Sequence, residues 1–196
     1  PVDESVPVNF TVASDPELKN VVSSGLAKAT PERDYTVKID ASGLQPFTTY
    51  YYQFTVGAFT SPIGRTRTLP TGSPERLRFG VVSCSSYAHG LFNAYRRVAE
   101  RADLDFVLHL GDYIYEYSNG ADGHDVYGNF RAYEPANEIL TLQDYRIRHA
   151  QYKRDADLQE LHRQHPMIAI WDDHEFADNA YKDGAVNHNE AGFDEG

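Results

Sequence analysis

The run TLPTGSPE, Thr68 to Glu75, divides this chain more sharply than any other stretch. Two prolines, a glycine and small polar residues cannot continue a helix or a strand, so the run reads as a linker. The hydrophobic periodicity differs on its two sides. That asymmetry predicts two regions, 1–70 and 76–196, joined by residues 71–75.

Before the linker, apolar residues alternate with polar ones, the period of half-buried strands. Val8, Phe10 and Val12 alternate in VNFTVA, Tyr35, Val37 and Ile39 in YTVKID, and Tyr50, Tyr52 and Phe54 in YYYQFTV. Gly43 and Pro46 punctuate a turn between the last two. Short strands at this spacing predict a β-sandwich. Leu44, Pro46, Thr48 and Tyr50 resemble the tyrosine corner of fibronectin type III-like domains, where the tyrosine hydroxyl bonds back to the corner's backbone. An unrelated β-hairpin is the plainer alternative. Too few strands are visible for a complete sandwich. The chain opens on Pro1 and stops at FDEG, so both ends read as cut, with one or two early strands expected outside it.

After the linker the pattern becomes strand, helix, strand, helices, strand, which is α/β grammar with parallel pairing. RLRFGVVSC, LDFVLHLGD and MIAIWDDHE read as the strands. Leu91, Tyr95, Val98 and Ala102 stand at helical spacing. Thr141 with Asp144 three residues on predicts a capped helix start, and Pro166 ends a further short helix near LQELHRQH.

With 196 residues, 41% of them hydrophobic, a sizeable core can form. A net charge of −11 argues against specific nucleic-acid binding, which calls for a basic stripe, and suits a protein that holds cations. Cys84 is the single cysteine, so no internal disulfide can form. Residues 1–196 hold no signal peptide and no apolar run of membrane length, and a signal is expected outside them.

Ligands gather beyond the carboxyl ends of parallel strands. Here those ends carry SCSSY (Ser83–Tyr87), GDYIYEY (Gly111–Tyr117) and WDDHEFADN (Trp171–Asn179). Convergence of the three would gather Cys84, Asp112, Tyr115, Asp173 and His174, a thiol, carboxylates, a phenol and an imidazole, which is a set that metals select. Each also has a plainer reading. Cys84 can be a small core hydrophobe, Asp112 a cap, the tyrosines ordinary packing, and Asp173 with His174 a surface ion pair. The adjacent Asp172 and Asp173 repel unless a cation or donor offsets them. His109 is expected inside its strand with an unknown partner. His149, His162 and His165 are expected as surface or packing residues, and His89, His124 and His188 as loop residues without a role.

FGVVSCSSY, DFVLHLGDYIYEY and IWDDHEFADN, taken together and in this order, resemble the alkaline phosphatase D (PhoD) family. Residues 1–70 look like the β domain that precedes its catalytic domain. The resemblance covers nearly the whole chain. It implies a fibronectin III-like, incomplete β domain followed by part of an α/β metallophosphoesterase (calcineurin-like) domain, two domains in an α+β arrangement. It implies a ferric ion and calcium, with Cys84 and Tyr115 as iron ligands and Asp112 bridging the metals. Asp173 falls where related enzymes carry a second-metal asparagine, and Asn179 is a further calcium-side ligand. His174 would face the phosphate, so His174 and Asp112 are the implied catalytic residues.

The implied activity is hydrolysis of phosphomonoesters, and of diesters, by attack of a metal-bound hydroxide with inversion at phosphorus. The implied setting is a secreted, periplasmic or cell-surface monomer. Family ligands from later in the domain are expected beyond Gly196, which leaves the piece weak or inactive alone. Two other readings stand beside this one: another metallophosphoesterase, such as a nucleotidase or nuclease, or a non-catalytic adhesion or carbohydrate-binding module. The second predicts no bound metal and no dependence on Asp112.

Overall fold

The computed structural model describes residues 4–121 and 131–188. Its contacts divide the chain into two units. One comprises Pro1–Arg78 with Leu104–Phe106 and His162–Pro166; the other comprises Phe79–Asp103, Val107–Leu161 and Met167–Gly196.

The first unit is built on one antiparallel sheet. Its strands are β1 (Val6–Ala13), β2 (Val21–Ala29), β3 (Thr49–Val56), β4 (Phe59–Thr60) and β5 (Gly64–Arg67), ordered β2-β1-β3-β4 with β5 also paired to β3. The side chain of Asp15 closes the β1–β2 turn by accepting the backbone N–H groups of Glu17, Lys19 and Asn20, the Asx geometry that makes aspartate a turn former. Alternation fixes which side chains of β1 go inward, and Val8 and Val12 are buried. At β5 the ring of Tyr52 lies across Gly64, whose missing Cβ would fall 2.3 Å from that ring. The backbone N–H of Gln45 donates to the Tyr50 hydroxyl at 2.8 Å, a tyrosine bonded back to its own corner.

The strand expected at YTVKID does not form. Tyr35, Val37 and Ile39 are more covered than their neighbours, so the alternation is real. Yet Pro31–Arg33 make a 3-10 turn, Asp34 and Tyr35 take positive φ, and residues 36–40 pair with no strand. The strand that does pair, β2, gave little signal because Val21, Val22 and Leu26 point to solvent.

In the second unit three strands align in the order β6 (Phe79–Val82), β7 (Phe106–His109) and β8 (Met167–Ala169). β7 and β8 are parallel, with Val107 opposite Met167 and His109 opposite Ala169. Among the described residues the α-helices are α1 (Asn93–Ala99), α2 (Leu142–Tyr152) and α3 (Ala156–Gln164). Thr141 and Asp144 form the expected capping box at α2. In α1 the buried positions are Tyr95 and Ala99, joined by Phe92 at its start. Leu91 and Ala102, expected on its apolar stripe, lie outside the helix and are exposed. The core packs Val107 and Ile114 against Phe92, Tyr95, Tyr152 and Leu161. The opposite side chains of the sheet, Phe79, Val81, Leu110, Ile168 and Ile170, are exposed.

Candidate metal centre beyond the strand ends

Parallel strands present all their carboxyl ends on one edge, and here the loops leaving them are laced together. The N–H groups of Cys84 and Ser85 donate to the carbonyls of Gly111 and Asp112 at 3.2 and 3.0 Å. Gly111 takes φ +104, and a Cβ there would lie 2.5 Å from the Cβ of Asp172. Only glycine lets the second and third loops approach this closely. Cys84 (φ +58), Asp112 (φ +51) and Asn179 (φ +51) all hold left-handed backbone that side chains rarely adopt. Such conformations persist where the surroundings over-determine them, and they gather at functional sites.

Glu175 supplies part of that determination. Its carboxylate accepts the N–H groups of Asp112 at 3.0 Å and Asp172 at 2.6 Å, and that of Tyr113 as well. The second and third loops therefore share one partly buried anchor, which no sequence pattern announced. Arg148, wholly buried in α2, does the same for the tyrosines. Its guanidinium donates to the carbonyls of Tyr115, Tyr117, Glu134, Pro135 and Asn137. Five donors in a fixed fork match several carbonyls at once, which lysine cannot do.

These anchors bring most of the expected donors together. Carboxylate and imidazole atoms of Asp112, Asp173 and His174 lie within 4.8 Å of one another. The Tyr115 hydroxyl donates to Asp112 Oδ2 at 3.3 Å. Cys84 is exposed rather than a core residue, and its thiol lies near enough to the Asp112 carboxyl that each shifts the other's proton affinity. Asp112 is 7% exposed, and its Oδ1 is buried with no hydrogen-bond partner. The side-chain amide of Asn179 instead donates to Asp178, while its backbone N–H donates to Asp173 Oδ2. His174 pairs with Glu116, not with Asp173. Tyr115 and Tyr117 place their rings 4.3 and 5.2 Å from the His174 ring, while Tyr113 packs on His109.

Proton affinities follow from this crowding. Burial pushes the Asp112 carboxyl up, and the charges of Asp173 and Asp172 add to it, against the pull of His174 and Cys84. A hydrogen bond from Ser83 favours the Cys84 thiolate, but burial with Asp112 and Asp172 outweighs it and raises the thiol. Burial, then the Asp112 and Cys84 charges, drives the Tyr115 phenol far above its ordinary value. Ionised Asp112 thus opposes ionisation of Cys84 and Tyr115, while Asp172 and Asp173 oppose that of Asp112. A cation removes that opposition. The unpartnered Asp112 oxygen supplies an open acceptor, and thiol, phenol and carboxylate are donors suited to a hard, highly charged ion. The residues present fit a metal.

His109 gains its partner in the structure. Its Nδ1 accepts the Gly111 N–H at 3.2 Å, so its proton sits on Nε2, 3.0 Å from the Tyr95 hydroxyl. The Tyr95 hydroxyl is in turn hydrogen-bonded to Ser85 Oγ. Burial lowers the His109 pKa, which keeps the ring neutral in this tautomer. His149 and His165 are packing residues, and His124 lies outside the described residues.

A family model described as "PhoD-like phosphatase" matches residues 79–195. The chain belongs to the PhoD-like phosphatase family. A second model, "PhoD-like phosphatase, N-terminal domain", matches residues 1–70. Alkaline phosphatase D of Bacillus subtilis (strain 168) is 43% identical over 182 residues, covering 90% of this chain and 30% of that protein. A solved structure titled "Structure of PhoD" superposes with a TM-score of 0.88 at 39% identity, over 96% of this chain and 36% of that one. This PhoD-like chain therefore spans about a third of the length of these relatives. The sequence resemblance and the superposition agree on the fold that carries Cys84, Asp112 and His174.

Proposed function

We propose that the chain carries part of the metal centre of a phosphate-ester hydrolase, an alkaline phosphatase or phosphodiesterase. The observation that carries this reading is the buried, unpartnered Oδ1 of Asp112 beside a thiol, a phenol, a second carboxylate and an imidazole. Cys84 and Tyr115 would hold a ferric ion, Asp112 would bridge, and Asp173 would serve calcium, with Asn179 orienting Asp173 through its N–H. Bound cations there would neutralise phosphate charge and make water acidic enough to attack phosphorus.

The chain's own residues do the remaining work. Glu116 holds the Nδ1 side of His174, which leaves Nε2 to meet a phosphate oxygen. Burial alone would lower the His174 pKa, but the hydrogen bond and charge of Glu116, then Asp112 and Asp173, raise it. A protonated ring at that place stabilises developing negative charge and can deliver a proton to a leaving oxygen. The exposed Cys84 acts as a ligand in this reading and not as a nucleophile.

The first unit is read as a fibronectin III-like domain, supported by its antiparallel sheet and the Tyr50 corner. The second is read as part of a calcineurin-like domain, supported by its parallel strands with donors beyond their ends. The domain limits proposed are 1–70 and 76–196, with 71–75 as linker. No described helix is long and apolar enough to cross a membrane. Export from the cytoplasm, a monomeric state and small phosphate esters as substrates complete the reading. Because the relatives are about three times longer, this chain alone is proposed to be weak or inactive.

The test is spectroscopic first. Ferric iron and calcium are added to the purified chain and its visible absorption is recorded. A phenolate-to-iron band, lost in Tyr115→Phe, is expected, and a band indifferent to Tyr115 would end this ligand assignment. Hydrolysis of an aryl phosphate should be weak and should vanish in Asp112→Asn.

A further inference from the structure

The loop that follows Cys84 is fastened at three consecutive residues. The hydroxyl of Ser85 is bonded to the Tyr95 hydroxyl, and that of Ser86 to the Tyr133 hydroxyl at 2.9 Å. The N–H of Tyr87 donates to the Tyr152 hydroxyl at 2.9 Å. These tyrosines come from α1, from the segment before α2 and from α2 itself. All are core residues, 4%, 1% and 0% exposed. Phenylalanine would fill the same core. A buried phenol must also find a partner for its oxygen, so its hydroxyl fixes where that partner sits.

Tyr95 extends the fastening to the second loop. Through His109 it connects Ser85 with the backbone N–H of Gly111. The side-chain chain therefore parallels the backbone bonds from Cys84 to Gly111 and from Ser85 to Asp112. Both Cys84 and Asp112 sit in left-handed backbone, which needs such support.

We propose that Tyr95, Tyr133 and Tyr152 are positioning residues that hold Cys84 against Asp112 before any cation arrives. The inference rests on reading Cys84 and Asp112 as halves of one centre. A ligand pair held in place by the core binds its ion without first losing conformational freedom, which strengthens binding.

Amide hydrogen exchange on the metal-free chain tests it, with Cys84 and Ser85 as reporters and Val107 as the reference. Ser85→Ala and Tyr95→Phe should each speed exchange at the two reporters about tenfold or more, with Val107 unchanged. The paired variant Tyr95→Phe/Ser85→Ala removes both hydroxyls but takes from the buried His109 Nε2–H its acceptor, so it should exchange at the reporters at least as fast as Ser85→Ala alone, again with Val107 unchanged. Ser85→Ala leaves the core intact and decides the matter if a tyrosine variant fails to fold. Wild-type exchange at Cys84 and Ser85 in Ser85→Ala or in the paired variant, or equal acceleration at Val107, overturns the proposal. Cobalt(II) titration, followed by its thiolate absorption band, should show about tenfold weaker binding in Ser85→Ala. Unchanged cobalt affinity alongside fast exchange also overturns preorganisation. Absence of the band in the unmodified chain would end the metal reading instead, and exchange alone would then judge the clamp.

Discussion

Nδ1 of His174 lies 2.9 Å from Oε2 of Glu116, a carboxylate with no exposure to solvent. The other oxygen of Glu116 accepts the Asp178 N–H at 2.7 Å and the Asn187 amide at 2.6 Å. Burial alone would raise the Glu116 pKa, but these bonds and the His174 charge hold it below its ordinary value. A buried carboxylate kept ionised in this way fixes both the direction and the charge of the imidazole it faces.

Glu116→Gln keeps the shape and removes the charge, so the His174 pKa should fall. The sign is set by linkage. His174 is raised in the folded chain, so its pairing stabilises the fold fully below the unfolded histidine value of about 6.5 and is lost as pH rises through the folded value. NMR titration of the metal-free chain reads this directly. An unshifted His174 in Glu116→Gln would show that Asp112 and Asp173, not Glu116, govern its charge.

Gly111 is the hinge of the site's geometry. Alanine there must hold φ +104 and place its Cβ 2.5 Å from the Asp172 side chain and 2.6 Å from the Asp172 nitrogen. Backbone strain and overpacking together should cost ~2–5 kcal/mol, read from the shift in urea midpoint. The loss should also separate the second and third loops, so cobalt(II) binding should weaken along with stability. A variant of wild-type stability would mean that the two loops can part without cost.

Much of this site was legible because its signals are local. Three apolar runs ending in acids, a thiol and a histidine are visible one strand at a time, and parallel pairing then brings the ends together. Thr141 and Asp144 announced their helix for the same reason, since a capping box needs only four residues. Glu116, Glu175, Arg148 and Tyr95 were not legible. Each acts on partners far along the chain, and a buried carboxylate or guanidinium reads in sequence like any surface charge. The strand expected at Tyr35–Ile39 failed for a related reason. Alternation reports which side chains face inward, but a strand also needs a neighbour for its backbone, and β2 took that place beside β1.

His149 is expected to set the acid limit of the second unit. It stacks on Tyr113 with ring centroids 6.2 Å apart, and its Nδ1 is buried without a hydrogen-bond partner. Burial, reinforced by the Lys153 charge, lowers its pKa to about 4. In the unfolded chain the same ring takes a proton near pH ~6.5. Between those values the unfolded state binds more protons, so stability rises with pH. The contribution is complete above pH ~6.5 and is lost as pH falls toward about 4. His149→Phe keeps an aromatic partner for Tyr113 and removes the titration. The variant should match the parent's urea midpoint at neutral pH or exceed it, and should lose less of it on acidification. A parallel loss in both proteins would assign the acid limit to other groups, with Asp112 and Glu116 the next to test.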